Sequence, residues 1–206
     1  WFHMKLSSDS FLRKRREPAM SAQPNLGMQP TTFANPMGID GFEFVEFAAP
    51  DQAGNEALAA LFQRMGFTAV LKHKTRDITV YRQNGVNFLV NADPDSFAAD
   101  FAKAHGPCAC GFAIRFSKPA SEVLQTVLGN GGEAIDHKEA SKAVDAPVVK
   151  GIGDCMLYLV DRYGDKGSMY EDYAPIPGAD QNPQGFGLTF IDHLTHNLYF
   201  GNMQKW

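Results

Sequence analysis

Cysteine is scarce in this chain. Cys108, Cys110 and Cys155 form an odd set without zinc-type spacing, which argues against a thiolate zinc site. Cys108-x-Cys110 reads as two small apolar residues near a strand start, and reduced thiols fit a cytoplasmic protein. Long hydrophobic runs are also missing. None approaches the roughly 18 residues needed to span a membrane, so no membrane partner is expected. Positive charge is in deficit: the formal net charge is -4, which argues against a nucleic-acid partner. The one basic run is Arg13-Lys14-Arg15-Arg16, in a stretch with no hydrophobic period. Tryptophan is nearly absent, with 2 against 16 Phe, so the interior is expected to be filled by phenyl rings.

What is present suffices for one large domain or two small ones. The chain has 206 residues, 44% of them hydrophobic. Trp1 to Pro36 is rich in Ser, Pro and Arg, and lacks the apolar core of a signal peptide. We therefore read 1–36 as a disordered or foreign tail outside the fold. Beyond it runs a repeat. Gly41-Phe42-Glu43-Phe44-Val45-Glu46-Phe47 resembles Gly111-Phe112-Ala113-Ile114-Arg115-Phe116, offset by 111 − 41 = 70 residues. Asn87-Phe88-Leu89-Val90 resembles Leu157-Tyr158-Leu159-Val160 at the same offset. Each copy has a helical stretch between these strands. Leu58, Leu61, Phe62 and Met65 mark the first, ended by Gly66; Val123, Leu124, Val127 and Leu128 mark the second. Two further strands follow each helix, at 69–73 and 78–82, then at 133–136 and 148–151. Each copy is thus β-α-β-β-β. A connecting helix over 96–104 is capped by Asp95 or Ser96.

Side chains alternate along a strand. Phe42 and Phe44 are therefore expected to share one face, as are Phe112, Ile114 and Phe116, and that face should pack on the helices. The opposite face, carrying Gly41, Glu43 and Val45 with Gly111, Ala113 and Arg115, should form an open cup. Glu43 and Arg115 are expected to approach each other there. By the same alternation, Glu43 and Glu46 should point to opposite faces.

A third copy begins near the end. Phe190-Ile191-Asp192-His193-Leu194 aligns with Gly38-Ile39-Asp40-Gly41-Phe42, so His193 stands where the complete copies carry Gly41 and Gly111. His193, Thr195 and Asn197 should face the cup side, and Leu194, His196 and Leu198 the other. His73, His105 and His137 read as surface residues near element ends. Tyr163 to Gly187, rich in Gly, Pro and Asp, reads as a linker packed through Tyr163, Tyr170 and Tyr173.

The β-α-β-β-β repeat resembles the vicinal-oxygen-chelate (glyoxalase/extradiol dioxygenase) superfamily. Asn35-Pro36-Met37-Gly38, the strand from Gly41 to Phe47, and Ile191-Asp192-His193-Leu194-Thr195-His196-Asn197 resemble the bacterial 4-hydroxyphenylpyruvate dioxygenases. The resemblance covers about residues 35 to 206. It implies an α+β fold, with a metal-free domain of two modules over 37–162, a linker over 163–187, and the first strand of a catalytic domain over 188–206. It also implies Fe(II) as cofactor, with His193 as metal ligand and Thr195 and Asn197 lining the substrate pocket. The remaining ligands would lie further along the family's chain. A 2-oxo acid and O₂ would be the partners, homogentisate and CO₂ the products of tyrosine catabolism, and the protein a homo-oligomer. On this reading the chain is inactive alone, and its last strand is unpaired. Other readings are a 4-hydroxymandelate synthase or dehydroshikimate dehydratase relative, or a non-enzymatic two-module binding protein with the cup as ligand site.

Overall fold

The computed structural model describes the backbone of residues 2–7 and, in full, residues 34–136 and 143–205. In chain order the elements are β1 (Phe2–Ser7), β2 (Ile39–Ala48), α1 (Gln52–Arg64), β3 (Thr68–His73), β4 (Ile78–Gln83) and β5 (Val86–Asn91). Then come α2 (Phe97–His105), β6 (Cys108–Phe116), α3 (Ala120–Gly129), β7 (Val148–Lys150), β8 (Met156–Val160), β9 (Tyr173–Pro175) and β10 (Phe190–His196).

The helices start where local chemistry satisfies their free N–H groups. The Asp51 carboxylate accepts from Gly54 N at 2.7 Å to open α1, and Ser96 Oγ accepts from Ala99 N at 3.0 Å to open α2. Pro119 precedes α3 and cannot serve. The Asp161 carboxylate accepts from Ala120 N at 2.7 Å instead, tying α3 to the end of β8. Gly66 follows α1 at φ +87°, a conformation that a side chain resists.

Eight strands form one mixed sheet in the order β7-β8-β6-β2-β5-β4-β3-β9. β2 and β6 run antiparallel at its centre; β2 is parallel to β5, and β6 to β8. The order outward from β2 (β5, β4, β3) is mirrored from β6 by β8, β7 and a single bridge, Ala134 to Val149. The strand expected over 133–136 is thus reduced to that bridge and two flanking hydrogen bonds, Ile135 N to Val148 O and Lys150 N to Glu133 O. The two copies share one continuous sheet.

Three expectations about faces are corrected. The β2–β6 register shifts between Phe42 and Phe44, as at a β-bulge, and alternation restarts there. Phe42 packs with Phe62, Phe88 and Phe112 beneath α1, whereas Phe44 is fully buried on the other side, edge-on to Tyr158 at 5.1 Å. Val45 therefore lies on the helix side. Second, Glu43 and Glu46 both lie on the cup side, where they bond Arg115 and Tyr158. Third, the cup is not open. Met169 and Tyr173 fold into it with Ala143 and Val144, against Phe44, Met156 and Tyr158. Phe112, Ile114 and Phe116 lie toward the helices, and Ala113 in the cup cluster, as the sequence suggests. Leu61 stays 40% exposed, so Leu58 and Phe62 carry the α1 contact.

The segment read as a linker is part of the fold. β9 adds to the edge of the sheet beside β3. Further on, Gln83, fully buried, accepts at Oε1 from the N–H groups of Phe186 (2.7 Å) and Leu188 (3.1 Å) and donates to Met65 O at 3.0 Å. Asn84 Nδ2 donates to the carbonyls of Gln184 and Leu188 at 2.9 and 2.8 Å. The reading of 1–36 as structureless is likewise corrected at 2–7. There β1 pairs antiparallel with β10, from Phe2 opposite His196 to Ser7 opposite Phe190. β10 is therefore a paired strand. His137 lies outside the described residues.

Candidate functional site

β10 carries the candidate metal ligand. Its two faces differ as a period of two requires. Ile191 is buried and Leu194 half-buried against the α1-side cluster, and His196 lies 6.2 Å from the Phe112 ring. His193 and Thr195 are exposed on the opposite side. Asn197, just past the strand, is exposed but lines a different hollow, of about 490 Å³, with Leu194, His196 and Leu198. The structure therefore brings His193 and Thr195 to one face and separates Asn197 from them.

His193 Nδ1 lies 2.8 Å from the Asp192 carboxylate, and its side chain is half exposed. A carboxylate on one ring nitrogen fixes the tautomer and leaves Nε2 as the lone-pair donor, the support commonly found behind metal-bound imidazoles. The residue present thus fits one ligand of an iron site. Among the described residues no three His, Cys, Asp or Glu side chains converge into a metal-holding group. His196 points the other way: its ring lies 6.2 Å from the Phe112 ring and lines the hollow among hydrophobic side chains.

In the complete modules the position aligned with His193 holds glycine, and other chemistry fills the cup. Glu43, 7% exposed at its side chain, accepts from Arg115 Nε at 2.6 Å. Deeper in, the fully buried Glu46 accepts from the Tyr158 hydroxyl at 2.8 Å and the Asn91 amide at 2.7 Å. Burial raises the Glu46 pKa while those two donors pull it down. Burial, together with the adjacent Glu46, pushes the Tyr158 phenol well up, so it stays a neutral donor. Gly111 makes room for this: a Cβ there would sit 3.1 Å from Glu46 Oε2 and 3.1 Å from Met156 O. The buried Glu46–Tyr158–Asn91 set was missed in the sequence, because it joins three strands and depends on the β2 bulge. The thiols are inert by position. Cys110 and Cys155 are buried, and burial lifts Cys155 to about 12.

Two copies of a β-α-β-β-β module, sharing a sheet across antiparallel first strands, define a glyoxalase-type protein of the vicinal-oxygen-chelate class. Residues 33–174 match the family described as hydroxyphenylpyruvate dioxygenase, HPPD, N-terminal, and the chain belongs to that family. It is 42% identical over 172 residues to the 4-hydroxyphenylpyruvate dioxygenase of Pseudomonas aeruginosa, covering 84% of this chain and 48% of that protein. It is 46% identical over 175 residues to hemolysin VllY of Vibrio vulnificus, with the same coverage. Among solved structures, a xylose isomerase-like TIM barrel/4-hydroxyphenylpyruvate dioxygenase fusion protein superposes with a TM-score of 0.61 at 30% identity, over 68% of this chain and 22% of that one. The chain spans about half the length of the curated relatives it matches.

Proposed function

We propose that this chain is the N-terminal half of a non-haem Fe(II) dioxygenase that converts 4-hydroxyphenylpyruvate and O₂ to homogentisate and CO₂. The observation that carries the reading is His193. It projects from the exposed face of β10, with Nδ1 held by Asp192, in a chain of the hydroxyphenylpyruvate dioxygenase family. Fe(II) would be held by two imidazoles, His193 among them, and a carboxylate, and would supply the chemistry that brings a 2-oxo acid together with O₂. This chain contributes one imidazole to that set. Asp192 keeps the Nδ1 proton in place, so Nε2 remains a donor. Thr195, one pleat along, offers a hydroxyl to the wall of the same site. Asn197 lines it only if the segment after His196 turns back to that face. The two complete modules serve as a scaffold. No described helix is long and apolar enough to cross a membrane, which is compatible with the cytoplasmic location we propose.

The test compares this chain with a protein extended through the downstream reading frame. The extended protein should bind stoichiometric iron and form homogentisate. His193→Ala should abolish iron binding while His196→Ala retains it. Asp192→Asn should weaken iron affinity by about 10–100-fold. The chain alone should hold no iron tightly, since one imidazole cannot fix a coordination geometry. Stoichiometric iron on the short chain, or iron retained after His193→Ala, would overturn the assignment.

A further inference from the structure

A polar cleft of about 260 Å³ opens beside the filled cup. Its walls include Glu43, Arg82, Asn87, Arg115, Arg162 and Tyr170. We propose that this cleft is a binding site for a small oxyanion, a carboxylate or a phosphate, independent of the iron chemistry proposed for β10.

Charge carries the argument. The chain as a whole is negative, at -4, yet three guanidinium groups line this one cleft, and Glu43 is the one carboxylate among its described lining residues. They come from separate elements: Arg82 from β4, Arg115 from β6 and Arg162 from just after β8. Arg115 engages Glu43 through Nε alone, at 2.6 Å, and faces the Tyr163 ring at 5.3 Å. Arg162 is already paired, with the Glu171 carboxylate at 3.2 Å and the Asp145 carboxylate at 3.8 Å, and it donates to the Asp145 carbonyl at 2.9 Å. Nearby, Lys166 lies over the Tyr163 ring, whose hydroxyl donates to Asp40.

Arg82 is the decisive group. It is half-buried, donates from Nε to Asn87 Oδ1 at 2.7 Å and from Nη1 to Gln181 O at 3.1 Å, and stands 5.9 Å from the Tyr170 ring centre. Among the described residues it has no carboxylate partner. A guanidinium drawn out of water against neutral acceptors alone leaves its charge uncompensated, and an anion would offset that cost. A planar fork with free N–H groups suits a two-oxygen acceptor. Tyr170 adds a second polar group: its hydroxyl oxygen is buried beside the Glu43 carboxylate, without a hydrogen bond of ordinary geometry among the described residues. Burial, with Glu43 beside it, keeps that phenol protonated, so it has a proton to donate. Three cations repel a metal ion, and the volume falls below that of drug-sized pockets, which points to a small ligand.

The test follows the arginine side-chain Nε–H resonances of this chain by NMR. Benzoate and inorganic phosphate are titrated separately, with sodium chloride at matched ionic strength as the third arm. We expect saturable shifts of Arg82 and Arg115 with at least one oxyanion at millimolar concentration, and none with chloride. The tighter arm identifies the carboxylate or the phosphate as the ligand class. Arg82→Gln should weaken binding by about tenfold or more, the equivalent of one charge-assisted hydrogen bond. Tyr170→Phe keeps the charge and should weaken binding severalfold, which decides the matter if Arg82→Gln does not fold. Lys72→Gln, away from the cleft, should bind as the parent does. The proposal fails if neither oxyanion gives saturable shifts, if chloride reproduces them, or if neither cleft substitution changes the affinity.

Discussion

A carboxylate sealed under the centre of a sheet sets an unusual pH response. Glu46 is fully buried, and burial raises its folded-state pKa above the ordinary carboxylate value. A raised carboxylate pKa means that the folded chain holds this proton more tightly than the unfolded chain. The contribution of Glu46 to stability is therefore greatest at low pH and is lost as pH rises through the folded-state value. Most native carboxylates, whose pKa is depressed, behave in the opposite way. Glu46→Gln should flatten this component, and urea unfolding across a pH series would show it. Tyr158→Phe should cost about 1–3 kcal/mol in the same assay, because it removes a donor from a buried acceptor. Gly111→Ala should cost a similar amount, about 1–3 kcal/mol, by pressing a methyl group against Glu46 and the Met156 carbonyl. A Gly41→Ala change meets no atom within 4 Å and acts only through its φ of +99°.

Among the elements, the 183–188 segment is held by two neighbouring side chains, Gln83 through its N–H groups and Asn84 through its carbonyls. Gln83 satisfies two of its backbone donors and one carbonyl of the α1 end, so three connections meet at a single amide. Gln83→Ala should leave those groups unpaired, costing about 1–3 kcal/mol. Its signature is local: the Phe186 and Leu188 amides should exchange with deuterium much faster, while amides of the β2–β6 pair remain protected. Replacing Asp51 by Ala should cost about 1 kcal/mol through the lost α1 cap, measured by thermal unfolding. The 3.6-residue period and the cap residues made the helices legible, since both are local. Ser96 caps α2 as the sequence allowed, but Asp161, the α3 cap, lies 41 residues downstream of the amide it serves. Nothing in the spacing around Pro119 could name it.

For the whole molecule, the repeat was the legible part. The 70-residue offset marks two modules, and the structure joins them through antiparallel β2 and β6. Which face each residue took was legible only up to the register shift after Phe42, because a bulge changes parity without a sequence mark. Phe44, Val45 and Glu46 were misassigned for that single reason. The filling of the cup was hidden for another: Met169 and Tyr173 arrive from a segment whose Gly and Pro content speaks of turns, not of where it docks. The pairing of Glu43 with Arg115 could be anticipated, since equivalent strands of two related modules meet at their seam. The cleft that gathers Arg82, Arg115 and Arg162 could not, as it needs the actual register of β4, β6 and β8.

The β1–β10 ribbon has a mechanical meaning. Phe2 lies opposite His196 and Ser7 opposite Phe190, so the chain segments beyond Phe2 and His196 leave from the same end. Tension applied through those segments would pull at right angles to the strands, along their hydrogen bonds. The ribbon would open one pair at a time, like a zipper, rather than bear load across all its bonds together. Stretching with handles outside Phe2 and His196 should give an early low-force event that peels β10, His193 included, back to Phe190. A second, higher-force event should follow when load reaches the eight-stranded sheet. The strand bearing the candidate ligand is thus held on this side by a seam that opens from its end.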